Sequence, residues 1–102
     1  MDLVATRIKL SLSGIFGKSG RYYEFSGPLE LVVEQIDADC WMYRIDALNL
    51  WAAEPGRSEC AGSFAQLFDE HYDNYGLLDP ETATEGARQV QAHLLELIKK
   101  VY

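Results

Sequence analysis

Apolar and polar residues alternate through Val4-Ala-Thr-Arg-Ile-Lys-Leu-Ser-Leu12, with Ile8, Leu10 and Leu12 on one side and Arg7, Lys9 and Ser11 on the other. A period of two predicts a half-buried strand with one wet face. A weaker alternation over Arg21 to Phe25 predicts a second strand, which Ser26-Gly27-Pro28 should end by turn chemistry. Leu29 to Ile36 reads as a third strand with Leu29, Leu31 and Val33 on one face, followed by a turn at Asp37-Ala-Asp39. Trp41 to Ile45 is a fourth strand, rich in aromatic and branched residues, with Trp41, Tyr43 and Ile45 assigned to the core face. Asp46 to Asn49 is a short turn or a bulge before a fifth strand, Leu50 to Ala53.

The period then changes. Glu54-Pro55-Gly56-Arg57 breaks the sheet and Ser58 is placed to cap a helix. Phe64, Leu67, Phe68, Tyr72 and Tyr75 trace one helical stripe, with Gly76 as its terminator. Asp79-Pro80-Glu81 reads as the start of a second helix, a capping acid followed by proline at the first helical position. Ala83, Ala87, Val90, Leu94, Leu97 and Val101 then recur by threes and fours, with Lys99 and Lys100 against the negative C-terminal end. That spacing suits a coiled-coil seam, but over so few heptads the expected use is packing within the chain. Strands followed by two helices, without β-α-β alternation, define the expected class. It is a single α+β domain over residues 1–102, a mainly antiparallel sheet of about five strands with two C-terminal helices packed on one face.

A chain of 102 residues with 48% apolar and 25% charged positions can build its own core and is not composed like a disordered segment. No window approaches a membrane span, and Asp2, Arg7 and Lys9 interrupt the positions where a signal peptide needs an apolar run. The expectation is no membrane association and a cytoplasmic location. Cys40 and Cys60 stand without a C-x-x-C or other ligand spacing and are expected to be reduced and partly buried.

Charge adds more. The net charge of −7 is divided between +2 over residues 1–28 and −9 over residues 29–102, and residues 30–85 alone hold 13 acids against 2 bases. Such a body lacks the main source of affinity for phosphate backbones, so no direct nucleic-acid binding is expected through the acidic face. The same field favours a basic protein partner. Plain solubility is the other use of such charge.

Motifs for chemistry are weak. Gly17-Lys-Ser19 matches the end of a phosphate-binding loop, but the first glycine of that loop would have to stand at Leu12, and the following Arg-Tyr-Tyr-Glu-Phe favours strand over helix. The expected reading is a loop between two strands with Lys18 as a surface charge. His71 and His93 lie on different predicted helices, without H-E-x-x-H spacing, although Asp69, Glu70 and Asp73 are close to His71 in sequence. No pairing of Cys40 or Cys60 with a histidine is visible, and no serine has a G-x-S-x-G setting. No catalytic residue, metal or cofactor is therefore assigned. Trp51 is either packed under a helix or exposed beside Glu54 as an interface anchor, and the irregularity at Ala47 to Asn49 decides which.

The stretch Val32 to Tyr75 resembles the HicB-like antitoxin fold. The resemblance rests on the strand Val32-Val33-Glu34, the acidic turn Asp37-Ala-Asp39, Trp41-x-Tyr43-x-Ile45 and Asp46-x-Leu48. A broken link with Pro55-Gly56 and Ser58-Glu59, then the helix with Phe64, Leu67, Phe68 and Tyr72, completes it. It implies a β-β-β-α unit in an inhibitor that binds a small basic ribonuclease toxin and blocks its RNA site. An immunity protein against a secreted nuclease would look much the same.

The expected function is a non-enzymatic antitoxin or immunity-type inhibitor of a basic protein. Its expected binding residues, chosen for charge density and exposure, are Glu30, Glu34, Trp51, Glu54, Asp69, Glu70 and Asp73. The alternatives are a small structural or scaffold domain of a bacterial or phage system, forming a homodimer through the wet sheet face or the terminal helix seam, and a hydrolase with a cysteine or carboxylate site.

Overall fold

The computed structural model describes residues 6–102; the expected strand start at Val4 lies outside them. Five antiparallel strands form one sheet: β1 (Arg7–Phe16), β2 (Tyr22–Asp37), β3 (Cys40–Ile45), β4 (Leu50–Glu54) and β5 (Ile98–Val101). Two helices, α1 (Arg57–His71), prolonged by a π-helical turn at Tyr72–Gly76, and α2 (Glu85–Leu97), pack on it in an α+β fold. The sheet runs β1-β2-β3-β4, and β5 joins β2 at Tyr23 to Phe25, beyond the end of the β3 ladder.

The core lies between sheet and helices. Leu29, Leu31 and Val33 of β2, Ile45 and Leu50 meet Phe64 and Phe68 of α1 and Leu94 of α2, while Trp41, Tyr43, Leu67, Tyr72 and Tyr75 pack partly buried against them. The strand period and the α1 stripe therefore meet on one apolar seam. Burying each large side chain here stabilises the fold by about 1.5–3 kcal/mol.

Four boundaries differ from the sequence reading. The second and third predicted strands are one strand, β2, because Ser26-Gly27-Pro28 is absorbed as an irregularity: β1 steps from Leu12 to Gly14 while its partner steps from Leu29 to Glu24. Ser26, Gly27 and Pro28 are exposed there, where the missing proline N–H breaks no ladder. The predicted terminal helix stops at Leu97. Ile98 is buried as the first residue of β5, Lys99 and Lys100 lie exposed on that strand instead of at a helix end, and Val101 pairs with Tyr23. That helix also starts later than Asp79, whose carboxylate accepts from the Glu81 N–H in a turn; Thr84 is the cap, accepting from the Ala87 N–H at 3.2 Å. Ser58 lies inside α1, which begins after Gly56 without a side-chain cap.

Candidate protein-binding site

The Gly17-Lys-Ser-Gly20 loop joins β1 to β2, and a carboxylate occupies its donors. Asp69, 7% exposed, accepts from the Ser19 N–H (2.8 Å), the Ser19 hydroxyl (3.0 Å) and the buried Tyr23 hydroxyl (2.6 Å). Gly17 is required by close approach, since a Cβ there would run into the Asp69 carboxylate. Gly20 adopts φ +95, the left-handed region. Arg21 lies 3.8 Å from Asp69, pairs with Asp73 at 2.8 Å and stacks over the Tyr72 ring. The loop thus pins the β1–β2 connection to the C-terminal end of α1.

Burial alone would raise the Asp69 carboxyl, but hydrogen bonds from Tyr23 and Ser19 together with Arg21 outweigh it and hold the group below the usual range. Burial, then the bond to Asp69, pushes the Tyr23 phenol up. A carboxyl depressed in the folded state stabilises above its unfolded value and loses that contribution as pH falls through the folded one. The stability gap between the wild type and Asp69→Asn should accordingly be full above about pH 4 and shrink below it. Thermal unfolding of both proteins between neutral and strongly acidic pH checks this.

Glu34 is also engaged within the chain. It is buried on the sheet face turned away from the helices, with Arg7 directly across on β1 (2.6 Å) and Arg44 of β3 on its other side (3.4 Å). The hydrogen bond from Arg7 holds its carboxyl below the usual range. Of the expected binding residues, then, Glu34 is met by Arg7 and Arg44 while Asp69 and Asp73 share the one guanidinium of Arg21, and all three, engaged within the chain, are set apart from the candidate surface. Glu30 is exposed on the same face as Glu34, opposite Ser11.

The remaining three come together. Asp46–Leu48 forms a 3-10 turn and Asn49 takes a left-handed conformation (φ 53), so Trp51 pairs with Arg44 while Ala52 pairs with Tyr43. Tyr43 faces Phe64, so Trp51 belongs to the opposite face and stands 59% exposed. Along the rim of β4, Trp51, Ala52, Ala53 and Glu54 line one wall of a groove of about 380 Å³; Ser63, Gln66, Leu67 and Glu70 of α1 line the other. Ser63 donates to Glu54 at 3.0 Å and Gln66 to Glu70 at 3.1 Å, which orients both carboxylates. Neither acid has an ion-pair partner among the described residues, and Lys18 reaches the groove only through a 3.4 Å bond to Gln66. Ser63 and Gln66 were not anticipated; their signal is the spacing of three and four that carries Ser63, Gln66 and Glu70 along one side of α1.

Other groups show less. Cys40 and Cys60 are free thiols, and Cys60 is fully buried with its sulfur 3.2 Å from the Ala52 carbonyl, so that burial pushes its thiol up and away from the reactive thiolate. His71 and His93 line one apolar hollow, where the His93 ring meets the Ala47 carbonyl at 2.6 Å. Among the described residues no His, Cys, Asp or Glu side chains cluster as a metal site requires, and no helix is long and apolar enough to cross a membrane. Comparison with family models, with curated proteins and with solved structures finds no match.

Proposed function

We propose that this chain is a non-enzymatic binding protein, and within that class an antitoxin or immunity-type inhibitor that engages a basic protein in the cytoplasm. One observation carries the reading: the rim of β4 presents an exposed tryptophan on one face of the sheet and, on the other, a groove with two carboxylates that the chain's own arginines leave free. A large aromatic side chain supplies contact area, and unpaired acids supply complementarity to lysines and arginines. The resemblance of residues 32–75 to HicB-like antitoxins supports a small basic nuclease as the partner class, whose cationic RNA groove such a rim would cover.

Capture from the source cell with tagged protein tests the reading. The expected result is a protein with an excess of lysine and arginine that the wild type retains and Trp51→Ala releases. Recovery of no partner, or of acidic proteins alone, counts against it.

A further inference from the structure

Two outer strands of the sheet, β1 and β4, are treated very differently. β4 is five residues long and is stopped at once by Pro55 and Gly56, the usual protection of an edge against unwanted pairing. β1 is ten residues long and contains no proline, and among the described residues it pairs with β2 alone. The Gln35 N–H donates to the Thr6 carbonyl at 2.8 Å, which fixes the ladder phase. Ile8, Leu10 and Leu12 therefore bond inward to β2, and the N–H and C=O groups of Arg7, Lys9 and Ser11 point outward.

The side chains of this edge are apolar on the helix side. Leu10 is 42% exposed, and neither helix lies over it as α1 lies over β3 and β4. Beside it runs an apolar groove of about 410 Å³ lined by Leu12, Ile15, Phe16, Tyr43 and Phe64, with Phe16 67% exposed.

We propose that β1 pairs antiparallel with β1 of a second copy, about a two-fold axis at Leu10, to continue the sheet across two chains. The apolar row Ile8, Leu10 and Leu12, which matches itself about Leu10, selects the occupant, and the charges select the register. With the axis at Leu10, Lys9 falls opposite Ser11, Arg7 opposite Ser13 and Ile8 opposite Leu12, so every cation meets a serine and every apolar residue an apolar one. An axis one residue earlier would set Lys9 against Lys9. The contact leaves both β4 rims free, so this inference stands apart from the proposed inhibitor function.

Sedimentation or light scattering of the wild-type chain over rising concentration tests it. The expected mass is about 23 kDa, twice the 11.5 kDa of one chain, with slowed amide exchange at Arg7, Lys9 and Ser11. Ser11→Pro removes an outward N–H that β1–β2 pairing does not use, and should weaken dimerisation by about tenfold or more with the fold retained. If that variant does not fold, Leu10→Lys, which sets two ammonium groups together on the axis, should return the mass to that of one chain. A wild type that stays at 11.5 kDa at millimolar concentration, or a folded variant that dimerises as well as the wild type, overturns the proposal.

Discussion

Asp69→Ala should destabilise the fold by about 3–4 kcal/mol, near the upper end for a single substitution. The change removes the acceptor for three donors at once, and the Tyr23 hydroxyl, on a residue with no exposed surface, cannot turn to water. Arg21 also loses one of its two acids. Tyr23→Phe removes a single bond and should cost about 1–2 kcal/mol. Because the two side chains share that bond, the double variant should be more stable than the summed costs suggest, by about 1 kcal/mol or more. Urea unfolding of the four proteins measures this. Additive costs would show that the carboxylate does not hold the phenol.

Trp51→Ala should do the reverse, leaving unfolding within about 0.5 kcal/mol of wild type, as exposed substitutions do. Binding of the proposed basic partner should weaken by about 30-fold or more, since an aromatic anchor is worth about 2 kcal/mol or more at an interface. Two features give that contrast. The indole is 59% exposed on the face opposite the core, at the free rim of β4, whose other face carries Glu54 toward Ser63 of α1. Parallel denaturation and titration of the variant separate the two effects, and a large stability loss would mean that the indole packs in the fold.

Period-two alternation and the α1 stripe made the core legible, because Leu31, Val33, Tyr43, Phe64 and Phe68 each sit where one local rule places them. Long-range pairing did not show in the same way. Ser26-Gly27-Pro28 has the composition of a turn, and its absorption into β2 depends on the partner strand skipping a residue, which no local window contains. Leu97 and Val101 fit a helical period as well as they fit a helix that ends and a strand that begins; the open hydrogen-bonding edge of β2 at Tyr23 to Phe25 decides between them.

The candidate site divided along the same line. Glu34 read as a wet-face acid because the arginines that neutralise it stand 27 and 10 residues away. Asp69 read as part of an acidic helix face, although the loop it holds is 50 residues earlier. Trp51 depended on a single backbone conformation at Asn49, a residue type that tolerates the left-handed region. Charge counting showed only that the acids gather in residues 30–85 of the sequence; contacts distant in sequence determined which of their carboxylates meet the chain's own arginines.

The most direct measurement is a titration of the captured basic partner into wild type, Glu54→Lys/Glu70→Lys and Glu30→Lys at low and high salt. The rim variant should lose binding by about 30-fold or more at low salt and much less at high salt, as close opposite charges across an interface require, while Glu30→Lys changes little. Equal affinity for the rim variant and the wild type, or a larger loss at Glu30, would contradict the assignment of the β4 rim as the partner-binding surface.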